Sequence, residues 1–348
     1  MAVDMNGQTY YEVLGVDHRA PAEVIEAAFM ALWKLYRPDI KPEHHQIGIR
    51  LNEARNILKD KGTRKEYDEA LAQDRKRVVG DYRFIKRIAE GGYGYTYLAE
   101  HIITGEKVCI KDCLHPDPAL DDILIREAKT IWNMRHYSIP SVQNLIRMPN
   151  GRLALVMDYI EGRTLAREVE NHGTLDPEHV CWIAERTLNV LMYMHFEHGV
   201  IHGDIKPQNI IIQDKHMIVL VDYGLSVVKP KSDTKNLGYT RIFAPPEQLK
   251  ENSPLLPQSD FYSLGMSMIF ALCGGNMYQV ERKRIPDSTP QPIRDFIEPL
   301  VRLNVLERPE WIDQNGESLF DKIQKIRLEV FKRARSNMKP LPGHGTGM

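Results

Sequence analysis

Cysteine is scarce in this chain. The four present (Cys109, Cys113, Cys181, Cys273) form no CxxC pair and no paired framework, so they read as reduced thiols in a cytoplasmic protein. Cys109 and Cys113 stand four apart, but no nearby Cys or His pair completes a zinc set. Excess charge is missing too. The formal net charge is −1, so no global field favours nucleic acid or an anionic membrane, and neither is expected as a partner. No segment approaches the ~18 uninterrupted apolar residues of a membrane span. The opening MAVDMNGQTYYEVLGVDHRA has an early acid and no apolar core, so a secretory signal is not expected. No internal repeat is found.

What is there is ordinary soluble composition, 43% hydrophobic and 27% charged. At 348 residues the chain is long for one core, and two domains are expected. The pattern changes along it. PAEVIEAAFMALWKLY, from Pro21 to Tyr36, has Val24, Ala28, Leu32 and Leu35 at helical spacing, and likewise Ile25, Phe29 and Tyr36. A second helix reads from about His44 to Asp60, with Ile47, Leu51, Ala54, Ile57 and Leu58 on one face, and a short third from about Thr63 to Leu71. Arg75-Lys76-Arg77 reads as linker. From Asp81 to Leu114 the sequence reads as three strands, with turn signals at Glu90–Gly92 and Thr104–Gly105. A helix at about Asp122 to Met134 and a strand from Leu153 to Met157 follow. Beyond Glu161 the chain is mostly helical, ending in an amphipathic helix near Ser318 to Phe331. The tail from Arg335 is rich in Gly, Pro and polar residues and reads as disordered. Strands followed by helices indicate an α+β fold with two lobes.

Three stretches carry chemistry. Ala89-Glu90-Gly91-Gly92-Tyr93-Gly94 joins two strands; its glycines would let backbone N–H groups approach phosphate oxygens, although such hairpins are common. Val108-Cys109-Ile110-Lys111 is a strand ending in lysine, and Glu127 follows sixteen residues later in a helix. A surface Lys–Glu pair contributes only ~0–1 kcal/mol, so its value would be in positioning. His202-Gly203-Asp204-Ile205-Lys206-Pro207-Gln208-Asn209, then Val221-Asp222-Tyr223-Gly224, is far more specific. Asp204 can accept a hydroxyl proton, Lys206 can neutralise a phosphoryl group, and Asn209 and Asp222 offer the hard oxygens Mg²⁺ takes.

In that order and at that spacing, residues from about 81 to 315 resemble a eukaryotic-type Ser/Thr protein kinase domain. Thr240 to Glu247 (TRIFAPPE) is similar to the end of its activation segment, Ser259 to Gly265 (SDFYSLG) to its central helix, and Arg308 to the arginine that pairs with Glu247. The resemblance implies a bilobal kinase fold using ATP and Mg²⁺ on protein substrates. It implies that Ala89, Gly91 and Gly94 cover the phosphates. Lys111 would contact the α- and β-phosphates and pair with Glu127. Met157, Asp158, Ile160, Ile211 and Cys109 would line the adenine site. Asp204 would be the base, Thr240 would bridge Asp204 and Lys206, and Asn209 and Asp222 would hold Mg²⁺. Ala89 replaces the first loop glycine and Tyr223 a phenylalanine. Gly203 replaces the arginine that clamps an activation-loop phosphate, so activity is expected not to need that clamp. A non-catalytic scaffold with a kinase fold is one alternative. A small-molecule kinase of the aminoglycoside or choline type is another, against which Ala244 to Glu247 and Asp260 weigh.

The first 72 residues resemble a J-domain, a small all-α module. TYYEVLGVDHRAPAEVIEAAF matches its opening and second helix, and Arg64, Tyr67 and Asp68 its closing pattern. The family's HPD tripeptide is here Arg37-Pro38-Asp39. Met30 and Ala31 stand where a basic pair is usual. Stimulation of the standard heat-shock chaperone is therefore not expected, and the module is expected to meet another protein or its own kinase domain. Trp33 either completes the small core or joins Met30 in an exposed patch. The expected division is 1–74 J-like, 75–80 linker, 81–334 kinase and 335–348 tail.

Overall fold

A computed structural model describes residues 9–37, 39, 44–76, 78–91, 94–230, 238, 240–250, 253–332 and 341. Pro38, Gly92, Tyr93, Arg77 and all of the expected tail except Leu341 lie outside the described residues. The chain divides into two compact units. The first runs through Ile125 and adds Val142–Tyr159; the second holds Arg126–Ser141 and the chain from Ile160. Among the described residues, no helix is long and apolar enough to cross a membrane.

The first unit opens with α1 (Tyr10–Leu14), α2 (Ala22–Tyr36), α3 (His45–Lys59) and α4 (Lys61–Lys76). Thr9 caps α1 through a reciprocal capping box with Glu12. Tyr10, Leu14, Ile25, Phe29, Leu51, Ala54, Leu58 and Tyr67 form the helical core. The Ile25–Phe29 stripe of α2 is buried in this core, and Ala28 and Leu32 of the other expected stripe pack partly buried against it. Val24 and Leu35 of the other expected stripe are exposed, Leu35 by 67%. Trp33 sits partly buried with its ring 5.4 Å from Phe29, so it serves the core and leaves Met30 exposed. The closing residues tie α1 to α4. Arg64 Nε donates to Tyr11 Oη (2.9 Å), Tyr11 Oη donates to Asp68 Oδ1 (2.7 Å), and the Tyr10 amide donates to Tyr67 Oη (2.8 Å). Burial, with Asp68 accepting its proton, pushes the Tyr11 hydroxyl up to about 12.

The expected short third helix and basic linker are corrected here. α4 is longer at both ends and carries Arg75 and Lys76 within it, since nothing between Leu71 and Lys76 breaks a helix. It packs against the following strands, and Glu12 Oε1 lies 3.6 Å from Lys86 Nζ, so the helical module and the strands form one unit.

The strands are β1 (Val78–Val79), β2 (Tyr82–Gly91), β3 (Gly94–His101) and β4 (Lys107–Cys113). After α5 (Pro118–Ile131) come β5 (Val142–Arg147) and β6 (Leu153–Asp158). α5 starts earlier than expected, because Asp117 accepts its opening amides through both its carbonyl and its Oδ1, and it ends earlier, at Ile131. The six strands form one antiparallel sheet in the order β1-β2-β3-β4-β6-β5. One face is apolar and buried: Phe84, Tyr97, Ala99, Val108, Ile110, Ala154 and Val156.

The second unit contains β7 (Arg163–Thr164), α6 (Leu165–His172), α7 (Pro177–Tyr193), β8 (Val200–Ile201), β9 (Ile210–Gln213), β10 (Met217–Leu220) and β11 (Val227–Val228). The helices α8 (Pro257–Leu272), α9 (Met277–Glu281), α10 (Gln291–Leu300) and α11 (Leu319–Phe331) complete it. The α8 residues are buried on every side, which makes it the unit's central helix. α11 docks on α7 through a buried ion pair, Arg327 Nε to Glu185 Oε2 at 3.1 Å.

Removing one partner of such a pair leaves an uncompensated buried charge. Glu185→Ala should cost about 3–5 kcal/mol, and Glu185→Leu with Arg327→Met clearly less. Urea denaturation followed by tryptophan fluorescence checks this; a single variant as stable as the parent would refute it.

Candidate active site

The sheet register sorts the expected nucleotide residues. Cys109 is the direct partner of Met157, and Lys111 of Leu155. Thr96 pairs with both Ala89 and Lys111. Side chains alternate along a strand and directly paired residues share a face. Ala89, Cys109, Lys111 and Met157 therefore lie on one face, opposite the apolar one. Gly91 pairs with Gly94 where β2 meets β3. A Cβ on Gly94 would lie 2.0 Å from the Asp112 carbonyl, so β4 itself demands glycine there. Asp158 ends β6 and accepts from Gln143 Nε2 (2.9 Å). Burial pushes the Cys113 and Cys273 thiols up to about 11, which keeps them protonated near neutrality.

In the second unit the loop after β8 gathers the acid–base groups. Lys206 Nζ donates to Asp204 Oδ2 (2.7 Å) and to Thr240 Oγ1 (2.9 Å). Thr240 Oγ1 donates to Asp204 Oδ1 (2.8 Å), so the bridge expected of Thr240 is present. Asn209 Nδ2 donates to the Asp204 carbonyl (2.9 Å) and Oδ2 (3.0 Å). Two donors thus fill Oδ2, while Oδ1 receives one and keeps a lone pair for an incoming proton. Asn209 closes a 3₁₀ turn (Pro207–Asn209), and its carbonyl accepts from the Val221 amide just before Asp222.

Asp222 has φ 68°, a left-handed conformation that aspartate tolerates better than most residues. Next to it, the Tyr223 amide donates to Glu127 Oε1 (3.3 Å), and Tyr223 Oη donates to the Leu220 carbonyl (3.2 Å). Phenylalanine could not make the second bond. Burial holds the Tyr223 hydroxyl well above its usual range. Asn209 directs its amide nitrogen to Asp204. An amide oxygen and a carboxylate are hard ligands of the type Mg²⁺ takes, so Asn209 and Asp222 are the residues here that could hold it. Among the described residues no cluster of three or more His, Cys, Asp or Glu forms an all-protein centre. Ile211 lies on β9, paired with Thr164, and Ile160 begins the second stretch of this unit.

The loop is held from below by Asp260 of α8. Its Oδ2 accepts from the His202 amide (2.8 Å) and His195 Nε2 (2.8 Å), and its Oδ1 from the Gly203 amide (2.9 Å). Trp311 Nε1 donates to His195 Nδ1 (2.9 Å). Indole can only donate, so Nδ1 is an acceptor and the imidazole proton sits on Nε2, facing Asp260. Burial pushes the His202 imidazole below its usual range. Arg308 grips Glu247 with two bonds, 2.7 and 2.9 Å, as the sequence pattern implied. His195, Trp311 and Gln248 were not flagged by sequence. Only the buried polar pattern of α8 signals that such partners must exist.

Residues 82–331 match the protein kinase domain family and residues 9–68 the DnaJ domain family. The chain belongs to the protein kinase family. It carries a DnaJ domain at its N-terminal end. It is 31% identical over 206 residues to the serine/threonine-protein kinase PrkC of Bacillus subtilis (strain 168), covering 57% of this chain and 31% of that one. It is 29% identical over 268 residues to the serine/threonine-protein kinase ppk25 of Schizosaccharomyces pombe, covering 76% and 59%. Identity to the serine/threonine-protein kinase F of Synechocystis is 29% over 259 residues, covering 64% and 52%. The chain thus spans between about a third and three fifths of the length of these relatives.

Gly203 has φ 73°, and a Cβ there would lie 2.8 Å from the Leu225 carbonyl. Gly203→Ala should therefore destabilise the second unit by about 1–3 kcal/mol. Thermal unfolding of the two proteins side by side checks this, and equal midpoints would contradict it.

Proposed function

We propose that the chain is a serine/threonine protein kinase that transfers the γ-phosphoryl of ATP to protein hydroxyls. The observation that supports it most is the Asp204 carboxylate, fixed by Lys206, Thr240 and Asn209 with one lone pair of Oδ1 left open. In this reading the acceptor hydroxyl gives its proton to Asp204 Oδ1. The Lys206 ammonium balances charge on the moving phosphoryl group, and Thr240 keeps both side chains in register. Lys111 steadies the α- and β-phosphates, with Glu127 as its orienting acid. Ala89, Gly91 and Gly94 cover the phosphates. Cys109, Met157, Asp158, Ile160 and Ile211 receive the adenine. Asn209 and Asp222 would hold Mg²⁺, which neutralises phosphate charge when bound. The functional modules are the J-like one, through the end of α4 at Lys76, and the kinase one over 81–334. The relatives' names, all protein kinases, support a protein acceptor over a sugar or choline.

Asp204→Asn keeps the shape and removes the base. Phosphotransfer from ATP to a generic basic protein should fall about 10²–10⁴-fold. Thr240→Val should lose activity that Thr240→Ser largely retains. If wild type and Asp204→Asn transfer phosphate equally, the scaffold alternative replaces this reading.

The J-like module serves a protein partner other than the standard chaperone. Arg37 caps α2 in a left-handed conformation, φ 47°, and turns its guanidinium onto Asp39, with Nε 3.3 Å from Oδ1 and Nη2 3.2 Å from Oδ2. That pairing holds the Asp39 carboxyl below its usual range and engages the charge a basic partner would need. The full chain should leave the ATPase of a heat-shock chaperone at its basal rate, in wild type and in Arg37→His alike. Stimulation comparable to that by an authentic J-domain would overturn this.

A further inference from the structure

Gly203 carries no side chain that could grip an activation-segment phosphate, and its φ of 73° and the nearby Leu225 carbonyl forbid one. Something else must hold the segment that delivers Thr240. Gln248 is placed to do it. It lies in the 3₁₀ turn Pro246–Leu249, directly after Glu247. Glu247 is fixed by Arg308 and by Ser259 Oγ (2.8 Å), so the backbone of residue 248 starts from a rigid anchor. The Gln248 side chain is buried, with 4% exposure. Its Nε2 donates to the Gly203 carbonyl (2.8 Å) and to the Gly238 carbonyl (2.8 Å). A primary amide has two N–H donors, and these two bonds use both.

The consequence follows from what each acceptor is joined to. The Gly203 amide is already held by Asp260, so Gln248 clamps that residue from its other side, immediately before Asp204. Gly238 precedes Thr240 by two residues, and Thr240 bonds Asp204 and Lys206. One amide therefore ties both strands of chain that converge on the base. We infer that Gln248 is a positioning residue. Its neutral amide does here, without phosphorylation, what an arginine–phosphate clamp does by charge. This rests on the kinase reading for its functional weight, although the tie itself can be measured without activity.

The test uses the full chain. Gln248→Met keeps length and bulk and removes both donors. Gln248→Asn, shorter by one methylene, keeps the donors without the reach and substitutes for Met if that variant does not fold. The expected result is a kcat loss of roughly 10-fold or more, from two buried carbonyls left unpaired, with the KM for ATP unchanged. The Phe243 and Ala244 amides, which bond the Thr240 carbonyl, should exchange hydrogen faster. Wild-type activity should survive phosphatase treatment. Wild-type kcat and unchanged exchange in the variant would overturn the inference, whatever its melting temperature. So would loss of wild-type activity after phosphatase. If wild type and Asp204→Asn are equally inactive, the kinase reading fails, and the exchange comparison alone still decides the tie.

Discussion

The buried carboxylate of Asp260 is the constraint on which the loop that carries Asp204 depends. It has no exposure to solvent, and an unpaired charge there would be very costly. Three donors compensate it: the His202 and Gly203 amides and the His195 ring. The cost of burial thus becomes a positional specification, because the carboxylate is tolerated only when the loop backbone presents those two amides. Trp311 extends the logic one step outward. By donating to Nδ1 it fixes the tautomer in which His195 donates to Asp260. A chain of directional bonds therefore runs from an indole after α10 to the residue next to Asp204.

The first unit works on a different principle. Its sheet has two unlike faces, and period-two alternation does the sorting. Val108, Ile110, Ala154 and Val156 anchor one face in an apolar cluster. Their neighbours Cys109, Lys111, Leu155 and Met157 are thereby committed to the other. A one-residue slip of register would exchange the sets, so the apolar face fixes where Lys111 points. The helical module adds to the same unit through α4 and the Glu12–Lys86 contact rather than standing apart.

The residues of the proposed chemistry were legible because chemistry fixes their types and local spacing: a base, a lysine two residues on, an amide three further. Arg308 with Glu247 was legible only through the family resemblance, which implied the pair that the structure shows. Trp311 with His195 was not legible. Their contact spans 116 residues, and a tryptophan near a Pro-Glu pair has no periodic or motif signal. Gln248 looked like a routine polar residue after Glu247; only its burial reveals it. On α2, two overlapping apolar stripes are visible in sequence, and only packing shows that Ile25 and Phe29 are buried, Ala28 and Leu32 flank them, and Val24 and Leu35 stay exposed. The extent of α4 was missed because a basic run carries no stop signal, merely no apolar stripe.

The two departures from family pattern have one physical character. At Arg37 and at Gly203, a group that elsewhere reaches toward a partner is absent or turned inward. Arg37 folds back on Asp39, so these two charges pair with each other. At Gly203 no side chain fits, and the neutral amide of Gln248 closes the loop from within the same unit. Both exchanges replace a contact conditional on a partner or a phosphate by one that forms on folding. A contact of that kind is unaffected by partner concentration or phosphorylation state, and it gives up the corresponding switch.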